Sequence, residues 1–262
     1  MGDIMKTIKD YEDFIKDNYG IPYISYDNLD ITVAEDITYA LINIFNKYPR
    51  LSDSICAFGT VNDIINKYNL SKNSIKSKKL KWEDYGEDLE DIFLVTVNVS
   101  SEKYHKEKEE LFLPCLFLGI GYGLDVMLDN IGTLNSIARS DVMDNLLPRD
   151  CNTFKSYIYH EIGHALDYIL ELRNDDKLYD IISEKTNDFD NEVIREKVSG
   201  YYETEPYYDE IIADCFSAYM MNPYANDLIS NVGIYIDNKY SKFENSRIFD
   251  VNRRYKTKQR KR

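Results

Sequence analysis

The stretch His160-Glu161-Ile162-Gly163-His164 decides how this chain can fold and what it can bind. Residues four apart lie one above the other on an α-helix, so both imidazoles would point toward one metal ion, with Glu161 beside them. In catalytic zinc sites, two histidines and a third ligand leave a fourth position for a water, whose pKa the metal lowers while a glutamate takes its proton. The pattern therefore predicts a catalytic zinc site. The alternative is a chance match in a chain with three histidines.

The residues around this motif favour a helix. The helix is expected to end at the polar residues Arg173-Asn174-Asp175-Asp176. Asn152 or Thr153 could cap its N-terminus. Apolar residues recur at spacings of three and four as far as about Leu172, which predicts an apolar stripe on one helical face. This stripe consists of Phe154, Tyr157, Ile158, Ile162, Ala165, Leu166, Ile169 and Leu170.

A third protein ligand is required, and the small number of histidines restricts its identity. The long metzincin motif would need a glycine three residues and a histidine six residues after His164, but Asp167 and Leu170 stand there. His105 lies in the charged run Ser101–Glu110, where a lone histidine is more often solvated than bound to metal. The third ligand is therefore expected to be a carboxylate.

Glu210 is the best candidate carboxylate. Pro206 fits a first helical turn, and the apolar residues after it predict a second core helix. Glu210 and Asp214 share the other face of this helix, which suits one metal ligand and one acceptor for the ring N–H of a bound histidine. The alternative is a solvated acidic face. The apolar residues are Ile211, Ile212, Cys215, Phe216, Tyr219 and Met220.

These two segments together resemble a known family. H-E-I-G-H-A-L-D at His160–Asp167 and E-I-I-A-D-C-F at Glu210–Phe216 resemble the gluzincin peptidases related to anthrax lethal factor and the secreted clostridial proline-proline endopeptidases. That family has H-E-x-x-H-A-x-D followed some forty residues later by a glutamate ligand in an E-x-x-A-D/E-x-F helix. Here 46 positions separate His164 from Glu210, and the resemblance covers about residues 130 to 225.

The resemblance implies a zinc endopeptidase in which a tyrosine shortly before the glutamate ligand binds the developing oxyanion. The usual seventh place before Glu210 holds Glu203 in this chain, and Tyr202 and Tyr201 stand one and two places further back. Tyr202 is the favoured candidate, with Tyr201 and other nearby tyrosines as alternatives.

Composition fits a compact protein of one large domain or a small pair, because 262 residues with 44% hydrophobic content can bury a substantial core. The longest apolar run, Leu111–Gly121, is too short to cross a bilayer and contains a proline. Residues 1–10 lack the apolar segment of a Sec signal, so cytoplasmic residence is the default, with a removed signal or a non-Sec route as alternatives. Four cysteines without C-x-x-C spacing favour reduced core thiols.

Charge is unevenly distributed along the chain. Residues 253–262 carry seven basic groups and no acid, so the remainder has 46 acids against 25 bases, a net charge of −21. We expect the tail to be disordered and to act as a solubilising end, with contact to nucleic acid or an acidic partner as the alternative. The acidic body argues against general nucleic-acid binding and is compatible with basic peptide substrates.

The predicted fold is α+β and zincin-like, with a small twisted sheet packed on the zinc-binding helix and a helical C-terminal lobe. Three regions are expected: a mainly helical region at 1–90, a catalytic region at 91–252 and the basic tail at 253–262. Gly132–Asp141 has the character of an edge strand that could pair with a peptide, although a surface strand or loop is equally compatible. The other predicted elements are helices at 8–19, 33–48 and 61–68, a strand at 53–60, a loop at 71–90, and a strand at 92–100 pairing with 111–118.

These observations predict a zinc endopeptidase that acts on a protein or peptide. His160, His164 and Glu210 would bind Zn²⁺, Glu161 would activate the water and Tyr202 would stabilise the oxyanion. Asp214 would orient a histidine ligand. The competing hypothesis is a non-catalytic interaction or assembly protein that keeps the fold, although a structural zinc site has no need of Glu161.

Overall fold

The computed structural model describes residues 5–27, 29–60, 94–98, 116–120, 130–200 and 208–244. The helices in these ranges are α1 (Ile8–Tyr19), α2 (Ile31–Lys47), α3 (Ile131–Met143), α4 (Lys155–Leu170), α5 (Asp176–Lys185), α6 (Asn191–Lys197), α7 (Tyr208–Met221) and α8 (Asp227–Glu244). Short 3-10 turns occur at Leu51–Asp53 and Leu172–Asn174. The strands are β1 (Tyr23–Ile24), β2 (Ile55–Thr60), β3 (Leu94–Asn98) and β4 (Leu116–Ile120). The described chain is thus mostly helical with a small sheet, and the predicted α+β class is confirmed.

Local sequence explains where the first two helices begin and end. Thr7 and Asp10 form a capping box at the start of α1, in which the Thr7 hydroxyl accepts from the Asp10 amide at 3.2 Å and the Asp10 carboxylate accepts from the Thr7 amide at 2.8 Å. Gly20 ends α1 in the left-handed conformation, with φ of 69°. The α2 helix begins two residues before its predicted start because the Asp30 carboxylate accepts from the Thr32 amide at 2.8 Å.

The four described strands form one mixed sheet in the order β1-β2-β4-β3. The β1–β2 and β2–β4 pairs are parallel, whereas β3 and β4 are antiparallel, with Leu94 opposite Ile120 and Asn98 opposite Leu116. The predicted pairing of these last two segments is therefore confirmed, although β4 begins later than the predicted segment. The sheet combines strands from both the 1–90 and the 91–252 regions. Its edge strand β3 lies against α4.

The core is centred on α4, which packs most extensively against α7 and also contacts α2. The α2–α4 contact includes an ion pair between Lys155 and Asp36 at 3.7 Å, and a hydrogen bond from the Asn43 amide to the Tyr159 hydroxyl at 3.2 Å. The α7 and α8 helices pack on each other, and α8 also contacts α5. The predicted apolar stripe of α4 is buried, apart from the partly buried Tyr157.

The prediction of an edge strand or loop at Gly132–Asp141 was wrong, because this segment lies within α3. The Asn130 side chain caps the helix by accepting from the amides of Gly132 and Thr133, at 2.9 and 3.3 Å. Leu134 and Ala138, four residues apart, are fully buried. Capping and burial of this stripe outweigh the cost of about 1 kcal/mol for a glycine inside a helix.

Two of the cysteines fall within the described side chains and agree with the thiol prediction, since Cys151 and Cys215 are both buried and free. No helix in the described part of the chain is long and apolar enough to cross a membrane. Several predicted features fall outside the described residues: the 61–68 helix, the 71–90 loop, His105, Tyr201, Tyr202 and the 253–262 tail.

Candidate metal centre

The helix that carries both histidines is capped from a distant part of the chain. Neither Asn152 nor Thr153 caps it through its side chain, so that prediction was wrong. The side-chain oxygen of Asn135 on α3 instead accepts from the Phe154 amide at 2.8 Å. The Thr153 carbonyl accepts from the Ser156 amide at 2.9 Å. These bonds satisfy two amides at the start of α4, and the Asn135 bond links this end of the helix to α3.

The second helix of the site crosses α4 at very short range. A Cβ atom built on Gly163 would lie 2.7 Å from the Cα atom and 3.2 Å from the Cβ atom of Ala213. Ordinary carbon contacts are about 3.5–4.0 Å, so any larger residue at Gly163 would push the two helices apart. Glycine in the middle of the H-E-x-x-H motif therefore lets α7 approach the turn that carries the two histidines.

Arg173 contacts carboxylates at both the end of α4 and the start of α7. The chain leaves α4 through Glu171, whose φ of 53° is left-handed, and this turn brings Arg173 back toward Asp167. Asp167 is fully buried, and it accepts from the Arg173 backbone amide at 2.7 Å and from Arg173 Nε at 2.6 Å. Arg173 Nη1 also lies 3.3 Å from Asp209 Oδ2, immediately before Glu210. Arg173, in the polar segment that follows α4, therefore connects α4 to α7, the helix that carries Glu210.

His160, His164 and Glu210 meet at one point. Glu210 Oε2 lies 3.1 Å from His160 Nε2 and 3.4 Å from His164 Nε2, and the two Nε2 atoms are 3.1 Å apart. A tetrahedral ion with bonds of 2.0–2.2 Å would hold its ligands about 3.3–3.6 Å apart, so the three atoms already stand close to the face of such a tetrahedron. This cluster could hold a metal ion.

Asp214 determines which nitrogen of His160 faces the cluster. Its Oδ1 atom lies 2.8 Å from His160 Nδ1, and its side chain is 4% exposed. An ionised carboxylate only accepts hydrogen bonds, so Nδ1 must carry the proton that it donates. In the neutral ring that a metal ion would bind, the Nε2 lone pair would then be directed toward Glu210 and His164. Asp214 therefore lies beside His160, and its role in orienting a metal ligand stays a prediction.

Electrostatics within the cluster favour a positive charge at its centre. Burial alone would lower the pKa of His160, but hydrogen bonds and charge from Asp214 and Glu210 outweigh it and raise that pKa well above its ordinary value. Burial would likewise raise the pKa of Glu210, but its hydrogen bonds with His160 and His164 bring it far below the ordinary range. A metal cation between the three side chains would supply the positive charge that these carboxylates favour.

The cluster remains open to solvent, while the predicted base beside it is buried. The His160, His164 and Glu210 side chains are 19%, 13% and 28% exposed, so each is partly accessible to solvent. Glu161, on the same turn of α4, is only 9% exposed, although glutamate is among the residues most rarely buried. The candidate oxyanion residue Tyr202 lies outside the described residues.

Sequence patterns did not reveal every residue that builds the site. Asp167 belongs to the H-E-x-x-H-A-x-D motif, but its partnership with Arg173 appears only in three dimensions. Ser199, whose hydroxyl lies 2.8 Å from Asp214 Oδ2, belongs to no pattern in the sequence. Its separation of 15 residues from Asp214 gives no periodic signal that could have indicated it.

Comparisons of the chain with protein-family models, curated proteins and solved structures found no match. The resemblance to gluzincin peptidases therefore depends on the two motifs and stays a prediction.

Proposed function

We propose that this protein is a zinc-dependent endopeptidase of the gluzincin type, with a zincin-like arrangement of its sheet and helices. The observation that carries the proposal is the meeting of His160 Nε2, His164 Nε2 and Glu210 Oε2 within 3.1–3.4 Å of one another. Two imidazoles and one carboxylate form a donor set used by catalytic zinc, and the exposure of the cluster leaves room for a further ligand.

Each residue has a defined task in this proposal. His160, His164 and Glu210 would hold the zinc, and Asp214 would keep His160 in the tautomer that presents Nε2. The bound zinc would act as a Lewis acid that lowers the pKa of a coordinated water. Glu161 would accept a proton from the attacking water on its carboxylate and later deliver it to the leaving amine. Tyr202 is proposed, from the family resemblance alone, to donate a hydrogen bond from its hydroxyl to the developing oxyanion.

The outer edge of β3 is the proposed place for the peptide substrate. Within the described sheet, β3 has β4 as a neighbour on one side, and it lies against α4, the helix of the two histidines. An extended peptide added to this edge would be held by main-chain hydrogen bonds that fix its register beside the metal ligands. The net charge of −21 outside the basic tail would favour basic peptides. This edge takes the place of the Gly132–Asp141 segment, which is helical.

A comparison of Glu161→Gln with His160→Ala tests the proposal. We expect wild-type protein to hold about one zinc per chain and to cleave peptides found by library profiling. Glu161→Gln should keep the metal and the fold but lose cleavage, since an amide cannot accept the proton, whereas His160→Ala should lose metal and cleavage together. Metal analysis, thermal melts and mass-spectrometric cleavage assays measure these quantities.

The outcome that would refute the enzyme is equally specific. If wild-type protein holds zinc but cuts no peptide or protein, and Glu161→Gln supports the same cellular function, then the chain is a non-catalytic interaction or assembly protein. If wild-type protein holds no zinc after supplementation, the metal centre itself is refuted.

A further inference from the structure

Asp214, which orients His160, is itself held by a second side chain. One carboxylate oxygen, Oδ1, lies 2.8 Å from His160 Nδ1, and the other, Oδ2, accepts from the Ser199 hydroxyl at 2.8 Å. Ser199 is 1% exposed and Asp214 is 3% exposed. A hydrogen-bonded chain therefore runs from a buried serine, through the aspartate, to a ligand of the candidate metal centre.

The hydrogen bond from Ser199 restrains rotation of the Asp214 carboxylate, which the bond to His160 restrains only weakly. The terminal torsion of an aspartate is broad, so a single bond at Oδ1 restrains the tilt of the carboxylate plane only weakly. The Ser199 donor at Oδ2 adds a restraint on that plane, and with it on the direction of the bond to His160 Nδ1. Because Ser199 is buried, bulk water cannot easily replace its hydroxyl if that hydroxyl is removed.

The backbone on both sides of Ser199 is anchored. The Val198 amide donates to the Ile194 carbonyl of α6 at 2.7 Å, and the Gly200 amide donates to the Asn145 carbonyl at 2.5 Å. A Cβ atom on Gly200 would lie 2.8 Å from the side-chain nitrogen of Asn145, so this contact is close as well. The backbone at Ser199 is thus held by hydrogen bonds of both of its chain neighbours.

We propose that Ser199 is a positioning residue that raises the zinc affinity of the site by acting through Asp214 on His160. The inference depends on the proposed metal centre, but it does not require that the protein be a peptidase. Removing a hydrogen-bond partner that directly contacts a metal-bound histidine costs about 10–100-fold in affinity. Ser199 acts one step further away, so its removal should cost roughly three- to tenfold.

The test measures zinc dissociation constants by competition with a chelator of known affinity, on the full-length protein. Ser199→Ala should weaken zinc binding roughly three- to tenfold, and Asp214→Ala should weaken it about 10–100-fold. The double variant should bind zinc no more weakly than Asp214→Ala alone, because a residue that acts only through Asp214 has no effect once Asp214 is gone. A purely structural effect of Ser199 would instead add to the effect of Asp214.

Ser217→Ala provides the matched control. Ser217 is also a buried serine, 2% exposed, on the same helix as Asp214, and its hydroxyl donates to the Ser156 carbonyl at 2.6 Å. Ser217→Ala and Ser199→Ala should lose similar stability, on the order of 1 kcal/mol in thermal melts without zinc. The zinc affinity of Ser217→Ala should stay within about twofold of wild type, because the Ser217 hydroxyl donates to a backbone carbonyl and not to the carboxylate that orients His160.

Any one of three results would refute the role of Ser199 and leave the metal centre standing. These are unchanged zinc affinity in Ser199→Ala, additive losses of zinc affinity in the double variant, and an equal loss of zinc affinity in Ser217→Ala. A wild-type protein that binds no zinc would overturn the metal centre and this inference together. Zinc affinities that follow the expected pattern in a protein that cleaves no peptide would support the role of Ser199 and refute only the peptidase.

Discussion

Gly163→Ala tests whether the close crossing of α4 and α7 sets the spacing of the metal ligands. The new methyl carbon would lie 2.7 Å from the Ala213 Cα atom and 3.2 Å from the Ala213 carbonyl oxygen. These are backbone atoms, so no side-chain rotation can relieve the contact. Restoring an ordinary carbon separation of about 3.5–4.0 Å requires the helices to move apart by roughly 1 Å.

A displacement of this size is large for a metal site and small for a protein core. Metal–ligand distances hold within about 0.2 Å, so moving Glu210 by roughly 1 Å away from the two histidines should weaken zinc binding by at least about tenfold. Turnover should fall by about 100-fold, as for other 1 Å misplacements. Overpacking costs about 1–3 kcal/mol, whereas replacing a helical glycine by alanine returns about 1 kcal/mol, so the net loss of stability should be about 2 kcal/mol or less.

The assay compares the zinc dissociation constant and the melting temperature of Gly163→Ala with those of wild type. Gly132→Ala controls for helical propensity, since it adds a methyl group to a glycine in α3, where the near neighbour is the tip of the Asn130 side chain at 2.8 Å. Its zinc affinity should not change. Wild-type zinc affinity in a folded Gly163→Ala protein would refute the argument that the glycine sets the ligand spacing.

Further substitutions test the predicted ligand set, the predicted oxyanion residue and the acid stability of the fold. Glu210→Ala should weaken zinc retention strongly and His105→Ala should not, as measured by metal analysis after dialysis; the reverse would show the third ligand to be misassigned. Tyr202→Phe should lower kcat by about 100-fold while zinc and substrate binding persist, and full activity with a loss in Tyr201→Phe would move the role to Tyr201. Asp175 caps α5 and pairs with Lys239; burial opposes its ionisation, but the hydrogen bonds from Lys239 and Tyr235 lower its pKa to about 2. Because this folded-state pKa lies below the unfolded value of about 3.9, the contribution to stability is complete above about pH 5 and is lost progressively as pH falls toward the folded-state pKa of about 2. Asp175→Asn keeps a capping side chain but removes the charge, so denaturation curves should show about 1–2 kcal/mol less acid-dependent loss than wild type, after allowance for solvent screening; an unchanged dependence would contradict this account.

The core of the site could be predicted from sequence because its information is local. His160 and His164 are four residues apart, and helical geometry alone places them on one face. Glu210 and Asp214 follow the same rule on the second helix. Their pairing across helices was predicted from chemistry, since two histidines without a third ligand require a carboxylate nearby.

The elements that were missed depend on contacts between distant residues. The cap of α4 comes from Asn135, 19 residues before Phe154, and no reading of the flanking residues could have identified it. The α3 helix was missed for a different reason, since Gly132 and Thr133 are weak helix formers whose cost is offset by the Asn130 cap and by burial. In both cases tertiary structure outweighs the local preference of the chain.

The geometry of the candidate metal centre depends on how α4 and α7 are held relative to each other, and three contacts between the helices restrain it. Contact of Gly163 with Ala213 sets the distance between the helix axes. Arg173 contacts Asp167 at the end of α4 and Asp209 at the start of α7, and these contacts oppose sliding of one helix along the other. The hydrogen bond between Asp214 and His160 limits rotation of α7 about its axis. These contacts are made by protein groups alone, so the fold itself contributes to the arrangement of the three candidate ligands. Variants that loosen one restraint should therefore weaken zinc binding more than they destabilise the fold.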